Sequence, residues 1–150
     1  MILLDTNVLI YASDKRAPHH DWARRTIAEA VSGEGAAIDA VSLAEICVGE
    51  EEPGTAAQRI RNWGVEILSV PATAAEVCAN AYRVYRERRL SQSGKESPAM
   101  PLPDFFIGAH AQVMGWPLAT ADDGRIRTYF PSVTIRSPSS AAPSQRVCPS

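Results

Sequence analysis

Four acidic residues stand where one apolar element gives way to the next. Asp5 follows Ile2-Leu3-Leu4, Glu45 ends Ser42-Leu43-Ala44-Glu45, Asp104 precedes Phe105-Phe106-Ile107, and Asp122 opens Asp122-Asp123-Gly124. Carboxylates gathered in one place bind a hard cation and, through it, a water or a phosphate. Asp5 is the sharpest case, because burying an ionised carboxylate without a partner is costly. Each position also has an ordinary explanation: a strand–helix cap for Asp5, the acidic member of a capping box for Glu45, an N-cap for Asp104, and turn chemistry before Gly124 for Asp122 and Asp123. Together they weigh more. Two carboxylates about 5–6 Å apart repel by roughly 3 kcal/mol at an effective dielectric of about 20. The six pairs among four of them would total on the order of 15–20 kcal/mol before screening, as much as the whole stability of a domain. A divalent cation removes most of that repulsion. An all-oxygen donor set selects Mg²⁺ or Mn²⁺, since Zn²⁺ prefers His and Cys.

Other chemistry finds less support. His19 and His20 sit at a helix start, and His110 lies about 120° around its helix from Asp104, so it should face elsewhere. No Ser or Cys nucleophile has a His partner, and no glycine-rich phosphate loop is present. Arg83, Arg86, Arg88 and Arg89 spread around one helix as a solvated face, with Arg86 and Arg89 as candidate phosphate contacts; Arg125 and Arg127 stand near Asp122 and are better placed for that role. Trp22, Trp63 and Trp116 read as packing groups.

The elements that must position these residues alternate. Ile2–Leu4 is a short buried strand, with a helix from Thr6 to about Ser13 directly after it. A helix is expected over Pro18–Val31, a strand at Ala36–Asp39, and a helix opened by the Ser42–Glu45 capping box. After a break at Glu50–Gly54 come a helix over Thr55–Trp63, a strand at Val65–Val70, and a long helix from Thr73 to about Leu90. Ser91–Pro103 reads as a loop and Asp104–Met114 as a helix. Short strands at Pro117–Thr120 and Val133–Ile135 flank a turn or helical turn at Asp122–Tyr129. Alternating strands and helices imply parallel βαβ units, whose ligands sit outside the carboxyl ends of the strands. Asp5 and Asp122 should meet there.

Bulk properties narrow the class. The 150 residues suffice for one domain with a core, 45% are hydrophobic, and the net charge of −2 argues against a module that holds nucleic acid by a basic field alone. Cys47, Cys78 and Cys148 lack paired metal spacing and read as thiols in a reducing compartment. No signal peptide or membrane span is expected, and the cytoplasm is the expected location.

The ordered motifs LLDTN, SLAEI, PDFFIGAHA and LATADDGRIRTYFP, running from Ile2 to Ile135, resemble the PIN-domain ribonucleases, and more closely the toxin half of VapBC toxin–antitoxin pairs. The resemblance implies an α/β fold: a three-layer α/β/α sandwich around a central, mainly parallel sheet of four to five strands, spanning residues 1–136. Residues 137–150 are Ser/Pro/Ala-rich, fall outside the pattern and are expected to be disordered. It implies an Mg²⁺- or Mn²⁺-dependent endoribonuclease with Asp5, Glu45, Asp104 and Asp122 as its acidic residues. Asp5, Asp104 and Asp122 would be metal ligands, with Asp123 as the alternative to Asp122, and Thr6, Asn7 and Thr120 would orient the carboxylates. Ala121 stands where many relatives carry a basic residue. Implied partners are an RNA (tRNA, rRNA or mRNA), a cognate antitoxin whose C-terminal segment fills the acidic groove, and a second copy of the chain. Two alternatives were weighed. A haloacid-dehalogenase-like phosphatase would share the DTNVL start, but Asn7 replaces its general acid and no lysine stands between Lys15 and Lys95. A non-catalytic PIN-like module binding RNA or protein would have no need of metal.

Overall fold

Ile2, Leu3 and Leu4 are apolar without interruption, as a strand buried on both faces must be. In the computed structural model, which describes residues 1–93 and 102–138, they form β1 (Ile2–Leu4) at the centre of a five-stranded, all-parallel sheet. The other strands are β2 (Ala36–Asp39), β3 (Val65–Leu68), β4 (Leu118–Ala119) and β5 (Ile135–Arg136), in the order β3-β2-β1-β4-β5. Leu3 pairs with Ala37 on one side and Leu118 on the other.

Helices cover both faces. Ile2, Leu4, Ala36 and Ile38 pack with α1 (Thr6–Ser13), α2 (His20–Ser32) and α4 (Pro53–Asn62) through Val8, Leu9, Ala23, Ile27 and Ile60. Leu3, Ala37 and Leu118 face α5 (Thr73–Ser93), α6 (Leu102–Met114) and α7 (Gly124–Tyr129) through Ala74, Cys78, Phe105, Ile107 and Ile126. This is the three-layer α/β/α sandwich expected from the sequence. No described helix is long and apolar enough to cross a membrane.

The strand order contains the site's location. From β1 the chain moves outward to β2 and β3, then returns to the other side of β1 for β4 and β5. The direction of winding reverses between β1 and β4, and the connections diverge there to leave a crevice at the carboxyl ends. Asp5 leaves β1 at that point, and Thr120 to Asp122 leave β4.

Several boundaries differ from the sequence reading. The helix expected to open at Ser42 is α3 (Ala40–Val48), capped three residues earlier by Asp39, whose Oδ1 accepts from the Ser42 backbone N–H at 3.0 Å. The Ser42 hydroxyl is buried without a partner among the described residues, so the capping box does not form and Glu45 lies mid-helix. Asp104 is not an N-cap either: α6 begins at Leu102, which places Asp104 in its first turn. The expected loop at 91–103 is helical as far as Ser93 and again from Leu102; its middle lies outside the described residues, as does the expected tail from 139 onward. Ser137 is buried, and its hydroxyl donates to Asp123 Oδ2 at 3.0 Å.

Close packing between α6 and the end of α7 leaves no room at Gly108. A Cβ there would lie 2.5 Å from two ring carbons of the buried Phe130. Gly108→Ala is expected to destabilise the protein by about 1–3 kcal/mol, measured as a lowered urea midpoint, and Phe130→Leu in the same chain should recover part of the loss.

Candidate active site

Asp5 is both things the sequence left open, a cap and a member of an acidic group. It caps α1 with extended backbone angles, and Oδ1 accepts from the Thr6 N–H at 2.7 Å. Oδ2 accepts from the Thr120 hydroxyl at 2.8 Å, a contact between residues 115 positions apart that closes β1 against β4. The Thr120 oxygen in turn accepts from the Asp122 N–H at 3.1 Å, which sets the turn after β4. Asn7 completes the junction: its Oδ1 accepts from the Ala121 N–H at 3.1 Å, and its Nδ2 donates to Thr120 Oγ1 at 3.5 Å.

Thr6 serves two carboxylates. Its backbone holds Asp5, and its hydroxyl donates to Glu45 Oε1 at 2.8 Å, bringing α3 to the site. Asp104 reaches the site from the first turn of α6, where Arg125 Nη1 donates to its Oδ2 at 2.7 Å. Asp5, Asn7, Asp104, Asp122, Arg125 and Ile126 line a small cavity of about 50 Å³. Asp123 turns elsewhere, accepting from Arg127 Nε at 2.8 Å and from Ser137, so Asp122 is the member of the pair that meets Asp5 and Asp104. Of the four candidate arginines only Arg125 lines the cavity; Arg127 pairs with Asp123, while Arg86 and Arg89 lie along α5.

Loss of solvent in the crevice, with neighbouring negative charge adding to it, raises the carboxyl pKa values of Asp5, Glu45 and Asp104. Burial pushes Asp5 up from 3.8 to about 6; the Thr120 and Thr6 hydrogen bonds oppose the rise, and the charges of Asp104 and Glu45 add to it. Glu45 is also raised, first by loss of solvent and then by Asp104 and Asp39, against the Thr6 hydrogen bond. Asp104 is raised by burial and by Asp122 despite the opposing Arg125 guanidinium.

The donor set is hard oxygen throughout, which fits Mg²⁺ or Mn²⁺. Among the described residues no three acidic, His or Cys side chains stand close enough together to ligate one ion at once. Each oxygen of Asp5 accepts one hydrogen bond, which leaves a lone pair on each for a cation, and Asp104 is held by Arg125.

One acidic pair escaped the sequence reading. Asp39 ends β2 as Asp5 follows β1, and continuing the register from Leu3 and Ala37 puts the two at the same level of the sheet. It is fully buried, with Oδ2 accepting from His110 Nδ1 at 3.0 Å, and His110 is itself 1% exposed. His110 thus faces away from the acidic cavity as expected, but it has a partner. The signal was available: Ala36-Ala37-Ile38-Asp39 repeats the strand–Asp–helix order of Ile2–Asp5.

The family described as PIN domain matches residues 2–131. Among solved structures, VapBC2 from Rickettsia felis, bound to a DNA fragment from its promoter, is similar over 91% of this chain and 98% of its own, with a TM-score of 0.63 and 20% identity. VapBC-1 from nontypeable Haemophilus influenzae covers 91% and 98%, with a TM-score of 0.62 and 19% identity. VapC20 of Mycobacterium tuberculosis, a toxin that cleaves the sarcin–ricin loop, covers 85% and 94%, with a TM-score of 0.57 and 19% identity. At these identities the likeness is one of fold. No curated protein matches the chain.

The raised Asp5 pKa has a definite sign in stability. The native state keeps a proton on Asp5 between 3.8 and about 6 that the unfolded chain has lost. Its contribution is therefore present below 3.8 and lost as pH rises through about 6. In EDTA, the melting temperature of the wild type should fall relative to Asp5→Asn across that window, as measured by thermal denaturation at matched pH. Thr120→Val, which removes an opposing hydrogen bond, should move the Asp5 midpoint higher in a carboxyl ¹³C NMR titration, and Thr120→Ser should leave it near the wild-type value.

Proposed function

The chain belongs to the PIN-domain family, and from that premise we propose that it is an Mg²⁺- or Mn²⁺-dependent endoribonuclease, the toxin of a type II toxin–antitoxin pair. The observation that carries this reading is that Asp5, Asp104 and Asp122 line one cavity at the point where the sheet reverses its winding.

Asp5, Asp104 and Asp122 would hold the cation, with Glu45 beside them. When bound, the cation lowers the pKa of a water and stabilises charge on the phosphate oxygens. The chain's own groups do the rest. Thr6 and Thr120 fix both oxygens of Asp5, so its carboxylate has one orientation on the cavity. The Thr6 hydroxyl holds Glu45 in the same frame, at the edge of the site, where a carboxylate of raised pKa is able to accept a proton from an attacking water. Arg125 is the cation lining the cavity and is suited to a phosphate oxygen of the substrate.

The reading brings with it an RNA substrate (tRNA, rRNA or mRNA), a cognate antitoxin, homodimerisation and a cytoplasmic site of action. Support for a protein partner comes from a groove of about 730 Å³ lined by Ala12, Ile27, Ala28 and Trp63 together with Ser13, Arg24 and Arg59, with the 48% exposed Ile10 on the same helix as Ala12. The observation favouring the second reading, a non-catalytic module, is that the described acidic groups do not converge as threes.

One experiment separates the two. Purified chain incubated with labelled total RNA should give discrete fragments in Mg²⁺ or Mn²⁺ and none in EDTA. Asp5→Asn and Asp104→Asn should each lower the rate by at least about a hundredfold while retaining the wild-type circular dichroism spectrum. Undiminished cleavage by Asp5→Asn would remove it from the mechanism. Absence of cleavage and of metal-induced stabilisation in the wild type would favour the module.

A further inference from the structure

Arg125 is held at two points. Its Nη1 donates to Asp104 Oδ2 at 2.7 Å, and its Cζ stands 5.7 Å from the centroid of the Tyr85 ring. That ring is itself fixed, packed against Phe105 at 5.4 Å and edge-on to Tyr129 at 5.7 Å. Arg125 is also the single cationic side chain among the residues lining the acidic cavity. The guanidinium therefore sits on a carboxylate that the proposed function assigns to a metal. A divalent cation and a guanidinium on one carboxylate repel, so each weakens the other's hold on Asp104.

We infer that Arg125 competes with a divalent cation for Asp104 and, once displaced, is kept by Tyr85 at the rim of the cavity, where it takes a phosphate of the RNA. The inference rests on the metal-dependent ribonuclease reading and goes beyond it, by giving one residue two successive anionic partners.

Three features support the exchange. The pair is half-exposed, at 37% and 43% for the two side chains, and ion pairs so open to water contribute little, so breaking one is easy. The second hold on Tyr85 survives the loss of Asp104, which limits how far the guanidinium strays. Asp5, Asp104 and Asp122 line one cavity, yet Asp104 is drawn to Arg125 instead of sharing an ion with the other two, as competition for Asp104 requires. A planar guanidinium also suits a phosphate, to which it donates through two nitrogens at once. The neighbouring arginine Arg127 has a different partner in Asp123 and does not line the cavity.

The test is calorimetric titration of Mn²⁺ into the EDTA-stripped full chain as wild type, Arg125→Gln and Arg125→Lys. A second arm measures anisotropy of a short, mixed-sequence, single-stranded phosphorothioate RNA with Mn²⁺ present. Arg125→Gln should bind Mn²⁺ roughly threefold to fivefold more tightly than wild type, the scale of one half-exposed charge pair, and RNA more weakly by a similar factor. Arg125→Lys, which keeps the charge, should stay within about twofold of wild type for Mn²⁺. Equal or weaker Mn²⁺ binding by Arg125→Gln, beside a wild type that binds, overturns the inference and leaves Arg125 as a tie between α6 and α7. Tighter Mn²⁺ binding with unchanged RNA affinity overturns the phosphate half. A wild type that binds no Mn²⁺ overturns the metal-dependent reading itself, and this inference with it.

Discussion

A carboxylate must be kept in a crevice from which much of its water has been removed, without a permanent counter-charge. That is the demand Asp5 makes, and the surrounding structure answers it. Two hydrogen bonds, from the Thr6 backbone and the Thr120 hydroxyl, occupy both of its oxygens. For Thr120 to reach Asp5, β4 must lie beside β1 in register, with Leu4 opposite Ala119. For Thr6 to reach it, a helix must start at once after the strand. The hydrogen bonds offset only part of the burial, so the carboxyl stays raised to about 6. A group left in that condition answers strongly to any positive charge brought near it.

Asp39 shows what the same position becomes when the demand is met permanently. It ends the neighbouring strand at the same level of the sheet, and it also caps a helix. Its second oxygen, however, goes to the buried His110, so the acidic end of β2 is closed off from the cavity. The pair ties the start of α3 to the middle of α6, the two helices that carry Glu45 and Asp104. One carboxylate at this edge is spent on architecture, and its neighbour lines the cavity.

How much of this could be read from the letters depends on the range of the interaction. The strands and their order of burial were legible because Ile2–Leu4 and Ala36–Ile38 are apolar runs broken by polar residues. The convergence of Asp5 with Asp122 followed from parallel topology alone. Local capping rules failed at Ser42, because Asp39, three residues earlier, was the better acceptor and took the Ser42 N–H. The failure has a lesson in it: a box of side chains matters only if its first member has extended backbone angles, and Ser42 is already helical. Arg125 could be named as near Asp122, but its grip on Asp104 spans 21 residues and a ring from α5, and no spacing rule reaches that far. Which of Asp122 and Asp123 faces the cavity was illegible for the same reason, since Ser137 holds Asp123 from beyond the start of β5.

The central strand of this sheet is the first to be made and the last to be enclosed. A chain emerging from the ribosome presents β1, β2 and β3 early, but one edge of β1 stays bare until β4 arrives, and Asp5 waits 115 residues for Thr120. Such long-range parallel pairing folds late and in one step with the rest of the domain. During synthesis the acidic site is therefore in pieces: Asp5 and Glu45 are present, while Asp104 and Asp122 are still to come. For a protein proposed to cut RNA, this ordering carries its own safeguard. The nascent chain is surrounded by messenger, transfer and ribosomal RNA at the moment of its birth, and the proposed site is whole only after Asp104, Thr120 and Asp122 have been made.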